Sequence, residues 1–187
     1  VKPFHHFFGV LAVLLMTTGS SVLAAGVQVE GTPIPMAPKP DFSTMNFLIG
    51  SWTCTNLSSR RPGPFTTTEV YSMDPGGYWI VRDDTIHKAS WIPRDFHGQT
   101  KYTYDTAAKR WVRITIGELG AYAVATAPMP TGKIKTYTYV IQTKAPGVAS
   151  YAPEVYVIAS DTKKAMTTSF TETGGRVVTV KQTCTKS

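Results

Sequence analysis

A chain of 187 residues, 42% hydrophobic and 17% charged, has room for one domain with a real core but not for two, and this composition excludes intrinsic disorder. Its formal charge of +7 is spread along the chain rather than clustered; Lys and Arg alternating with Thr and Tyr, as in KIKTYTYV, could form a nucleic-acid stripe, but the export expected below argues against a nucleic-acid partner. Two cysteines at this separation make neither a zinc site nor a C-x-x-C redox pair.

Lys2, His5 and His6 precede the apolar run FFGVLAVLLM, which is followed by TTGSSVLAA. A short charged region, an apolar stretch and a small-residue zone form the pattern of a secretory leader over residues 1–24, with cleavage expected after Ala24. The apolar run is well short of the roughly 20 residues that span a bilayer, so no stable membrane insertion is expected after cleavage. The expected location is the periplasm or the exterior of a bacterium. Removing residues 1–24 takes only Lys2 from the charge count and leaves +6. Export exposes the chain to oxidising conditions, in which Cys54 and Cys184 are expected to form a disulfide.

Residues 25–40 are Pro-rich and aperiodic, as in an extended arm. The domain proper is expected over 41–187. It starts with DFSTMNFLIG, where Asp41 or Ser43 can cap one helical turn and Gly50 can end it, giving a short plug. Strand-forming runs broken by turn signals then follow at 51–58, 65–73, 78–87, 98–105, 110–116, 119–126, 133–143, 154–160, 165–172 and 176–184. The DPGG between the second and third is a strong hairpin signal. No segment has the 3.6-residue period of a long helix.

Ten short strands in meander order predict an all-β antiparallel up-and-down barrel, with a β-sandwich as the alternative. In a closed barrel with an even number of strands the first and last are antiparallel neighbours, close enough for a disulfide across the seam. Pairing Cys54 with Cys184 then sets Thr53 against Thr185, Thr55 against Thr183 and Asn56 against Gln182. Alternation places Trp52, Val178 and Val180 on the cysteine side, which is predicted to be interior.

The stretch FLIGSW carries a Gly-x-Trp signature in Gly50-Ser51-Trp52. With the ten strands after it, it resembles the calycin superfamily of lipocalins, fatty-acid-binding proteins, avidins and nitrobindin. It is most similar to nitrobindin-like domains and to secreted bacterial lipocalin-like domains of unknown function. The resemblance implies that Trp52 closes one end of the barrel and that the interior holds a ligand. Nitrobindin holds haem through a histidine in the C-terminal part of its barrel; this chain has no histidine after His97, so no haem or other cofactor is expected.

The aromatic residues Trp79, Tyr102, Tyr104, Trp111, Tyr122, Tyr137, Tyr139 and Tyr156 fall in predicted strands. Turned inward they would line a cavity suited to a small hydrophobic or aromatic molecule. Arg82 and Asp84 share one face of the third strand, and Arg113 shares a face with Trp111 and suits an anionic ligand group. The expected ligand contacts are therefore Trp52, Trp79, Arg82, Asp84, Tyr102, Tyr104, Trp111, Arg113, Tyr137 and Tyr139. His87 and His97 flank a predicted loop at spacing that fits no metal motif, and no nucleophile, P-loop or dinucleotide motif occurs. Neither a catalytic set nor a metal site is assigned. The leading expectation is an exported barrel, monomeric or dimeric, that carries a small apolar molecule. The alternatives are a barrel-type enzyme using an inward acid such as Asp84 or Glu69, and a secreted interaction or inhibitor protein presenting loop 88–97.

Overall fold

The computed structural model describes residues 38–129, 135–143 and 145–187. The predicted leader and most of the predicted arm lie outside the described residues. One 3-10 turn, Asn46–Leu48, precedes eleven strands: β1 (Gly50–Ser58), β2 (Phe65–Met73), β3 (Ile80–Ile86), β4 (Phe96–Asp105), β5 (Arg110–Gly117), β6 (Tyr122–Pro128), β7 (Lys135–Ile141), β8 (Val148–Tyr151), β9 (Glu154–Ser160), β10 (Lys163–Glu172) and β11 (Val177–Lys186).

Every pairing is antiparallel, and β1 through β7, β9, β10 and β11 follow one another around a ring that β11 closes against β1. The molecule is thus a closed ten-stranded barrel rather than a sandwich. The seam has the register that the two TCT segments imply, with Thr53 opposite Thr185, Cys54 opposite Cys184, Thr55 opposite Thr183 and Asn56 opposite Gln182. Cys54 and Cys184 are disulfide-bonded with their Cα atoms 4.0 Å apart. Alternation holds strictly along β1, where Trp52, Cys54 and Asn56 are buried and the residues between them are exposed.

Two differences from the sequence reading have local causes. Strand β3 starts at Ile80 rather than residue 78, because the Asp74 carboxylate accepts hydrogen bonds from the backbone N–H of Gly76 (3.0 Å), Tyr78 (2.8 Å) and Trp79 (2.6 Å). These bonds extend the DPGG turn through Trp79. Strand β8 is an addition to the ten expected. It lies end to end with β9 along β10, with Tyr151 opposite Phe170 and Val155 opposite Thr167, and the two are separated where Pro153 has no N–H to give the ladder.

The 3-10 turn closes the end of the barrel where β1 begins. Phe42, Met45 and Leu48 are buried against Trp52 and Trp111. Lumen and seam side chains fix its backbone: Trp52 Nε1 donates to the Leu48 carbonyl (2.7 Å), the Tyr137 hydroxyl to Thr44 (3.0 Å) and Lys186 Nζ to Phe47 (2.8 Å). At the junction Gly50 has φ +118°, and a Cβ there would meet Lys186 Cε at 3.0 Å, so only glycine makes the bend. At the opposite end the β1–β2, β3–β4 and β5–β6 connections surround an open mouth. The last two are tied together by Glu118, which accepts from the His97 backbone N–H (2.9 Å) and pairs with Arg94.

Candidate functional site

Inside the barrel, next to the plug, lies a layer of aromatic rings. Tyr71, Tyr102, Tyr139 and Tyr137 follow one another with centroids 6.2, 6.4 and 6.5 Å apart, and Trp111 joins Tyr137 at 6.5 Å and Tyr104 at 5.2 Å. The structure therefore brings together Tyr102, Tyr104, Trp111, Tyr137 and Tyr139, five of the expected contacts, but packs them against one another. The void left among Tyr71, Tyr137, Met45, Leu48, Ile158 and Lys164 is about 20 Å³, room for a single water. Trp52, fully buried, lies over the plug. Trp79 is half-buried in the turn before β3, and Ile80 is the side chain that enters the core in its place. Tyr122 is 63% exposed and faces outward.

Above this layer lies a buried ionic cluster centred on Glu69. Its carboxylate accepts from Lys164 Nζ (2.5 Å), the Tyr71 hydroxyl (2.9 Å) and Gln182 Nε2 (3.1 Å), and Arg82 stands 3.6 Å away. Glu69 comes from β2, Lys164 from β10 and Gln182 from β11, so the cluster spans the seam region of the lumen. Burial alone would raise the Glu69 pKa, but Arg82, Lys164 and the Tyr71 hydroxyl outweigh it and hold the pKa at about 2. Burial pushes the Lys164 ammonium down to about 8, offset only in part by Glu69. Arg82 forks onto Asp84, with Nε 2.8 Å from Oδ1 and Nη2 donating to Oδ2 at 3.0 Å, and Nη2 also donates to the Thr100 hydroxyl at 3.0 Å. Burial raises the Asp84 pKa; Arg82 opposes the rise and Glu69 adds to it. Neighbouring carboxyl groups thus have their proton affinities pushed in opposite directions.

The cluster forms the floor of a cleft of about 290 Å³ at the open mouth, walled by Asn56, Thr67, Thr115, Asp84, Gln182 and Phe65. Two of the expected contacts, Arg82 and Asp84, line this cleft, each with a side chain 12% exposed. Beside it lies an apolar groove of about 320 Å³ formed by Trp91, Ile92, Pro93, Phe96 and Arg61, which shares Phe65 and Ile86 with the cleft. The sequence reading leaves Asn56, Thr67, Thr115, Gln182 and Lys164 out of the site. For Asn56 and Gln182 a signal exists, because the seam register alone puts them opposite each other on the cysteine side.

Arg113 is buried elsewhere in the lumen. It pairs with Glu154, donates to the Tyr156 hydroxyl (3.1 Å) and sits 4.9 Å over the Tyr139 ring. Its charge is thereby neutralised internally. His87 lies outside the lumen, within 2.7 Å of the Thr68 hydroxyl, and His97 stands at the rim beside Thr85. Among the described residues the one group with metal-ligand proximity is Cys54, Glu69 and Cys184, and its sulfurs are committed to the disulfide. No helix among the described residues is long and apolar enough to cross a membrane.

No protein-family model matches the chain, and a search of curated proteins finds no match. The structure alone defines the class: an antiparallel ten-stranded closed barrel, plugged at one end and disulfide-locked at its seam, with a polar cleft at the other end.

Proposed function

We propose that this chain is an exported, calycin-like barrel that binds a small molecule in the cleft at its open mouth. The observation that carries this reading is the cleft itself. Its roughly 290 Å³ lies close to the lower end of the ~300–1,000 Å³ usual for small-molecule sites. It is concave, and several polar side chains converge on it from β1, β2, β3, β5 and β11. The aromatic layer, by contrast, has no room for a ligand and serves as the rigid base on which the cleft is built. The Cys54–Cys184 disulfide and the leader-like segment 1–24 support export to the periplasm or the medium.

A second reading, a proton-transfer enzyme, is favoured by one feature: Asp84, raised by burial, stands beside Glu69, which is held ionised. Native mass spectrometry of the exported protein taken from the cells that produce it tests the binding reading. A retained small molecule is expected, released on denaturation. It should be absent from a Thr115→Phe variant, whose added ring fills the cleft. If wild type and variant give the same bare mass, and no small molecule shifts the wild-type melting temperature, the binding reading falls.

A further inference from the structure

Resting on the reading of the mouth cleft as a binding site, the disposition of its donors and acceptors selects a ligand. Most of the donors at its floor are turned toward partners inside the cluster. Arg82 Nε faces Asp84, its Nη2 serves Asp84 and Thr100, and its Nη1 faces Glu69 at 3.6 Å and the Tyr71 hydroxyl at 3.5 Å. The amide nitrogen of Asn56 donates to Thr67 Oγ1 (2.7 Å), and that of Gln182 donates to Glu69 (3.1 Å). Lys164 is turned to Glu69 and Tyr71 and does not wall the cleft.

What the cleft retains is acceptor capacity. With their nitrogens engaged, Asn56 and Gln182 keep their amide oxygens. A carboxylate also has more lone pairs than Arg82 and Thr100 fill at Asp84. An anionic head entering here would meet two carboxylates, toward which the charge of Arg82 is already directed. A head bearing N–H groups would find acceptors. The positive charge carried elsewhere on the protein is screened beyond roughly 8–10 Å at physiological salt, so the groups lining the cleft dominate.

The body of the ligand is indicated by the second feature. The cleft continues over Phe65 and Ile86 into the groove under Trp91, where Phe65 and Trp91 meet edge to face at 5.2 Å. A molecule anchored at the cleft floor therefore passes onto an apolar, aromatic wall.

We propose that the ligand is an amphiphilic amine, its ammonium head held by Asp84, Asn56 and Gln182 and its apolar body lying along Phe65, Ile86 and Trp91. The test is isothermal titration calorimetry of the full oxidised protein with decylamine, decan-1-ol, sodium decanoate and butylamine, all below their micelle concentrations at neutral pH. Decylamine is expected to bind at least about tenfold more tightly than decanol or decanoate, since a charge-assisted hydrogen bond is lost with either. It is also expected to bind more tightly than butylamine, which lacks the body. Asp84→Asn should remove the preference for decylamine over decanol. Should that variant not fold, Trp91→Ala, in the β3–β4 loop, provides the second check by bringing decylamine down toward butylamine. Decanol or decanoate binding as well as decylamine overturns the amine head but leaves the cleft reading standing. If none of the four probes binds, the amine proposal is overturned, and native mass spectrometry decides the cleft reading separately.

Discussion

Replacing Glu69 with Gln removes the centre of the buried cluster and leaves Lys164, whose side chain is 2% exposed, and Arg82 without their shared counter-ion. Breaking a buried ion pair from one side costs about 3–5 kcal/mol, because the remaining charge is desolvated and uncompensated. Lys164→Met should cost less, since Glu69 keeps Arg82, Gln182 and the Tyr71 hydroxyl. The native pKa gives an independent handle. The fall from 4.5 to about 2 on folding corresponds to about 3 kcal/mol of stability. A carboxylate with a depressed native pKa contributes that stability fully above pH 4.5 and loses it as pH falls toward about 2. Guanidinium unfolding of wild type and Glu69→Gln, without reductant, at neutral pH and at successively lower pH, measures both effects. The variant should be less stable by several kcal/mol at neutral pH, and its curve should fall less steeply than wild type through the acid range. A loss below about 1 kcal/mol, or an unchanged acid limb, would refute the placing of Glu69 at the centre of the cluster.

Two further predictions concern the seam and the plug. Replacing both Cys54 and Cys184 with Ser opens a covalent loop spanning 130 positions and should cost up to about 5 kcal/mol on the chain-entropy model. The β1–β11 ladder should still close the barrel, which circular dichroism would show; equal unfolding midpoints with and without reductant would contradict the estimate. Trp52→Ala should cost about 3–5 kcal/mol through the cavity it leaves. Trp52→Phe, which keeps a ring but loses the bond to Leu48, should cost less, and equal losses measured by urea unfolding would show that ring volume does not set the cost there.

Much of the barrel can be read from the sequence because period-two alternation and a closure rule together leave little freedom. Once Cys54 faces Cys184, the remaining seam partners follow by counting. Boundaries are less legible where side chains reach back to the backbone. Nothing in the letters DPGGYW shows that Asp74 captures the N–H groups of Tyr78 and Trp79, so Trp79 reads as a strand residue. Strand β8 is hard to see because VASY is short and Pro153 breaks the run just beyond it. Lys164 escapes notice because DTKK reads as a turn, whereas β10 begins at Lys163 and so turns the next side chain inward, opposite Cys184. The mouth cleft is hidden for a different reason. Asn56, Thr67, Thr115 and Gln182 are common residues in threonine-rich strands, and only the three-dimensional fold brings them together around one cleft.

The bridge between the outermost strands also decides what happens when the molecule is cut. Between Cys54 and Cys184 the chain is a covalent ring, so one protease cleavage in the β3–β4 connection, such as between Lys88 and Asp95, releases no fragment. Both pieces remain tethered through sulfur, and each of the ten barrel strands keeps both of its neighbours. Damage at the mouth would pass unnoticed by the barrel until a reductant arrives, when the clipped molecule becomes two chains held by hydrogen bonds and packing alone.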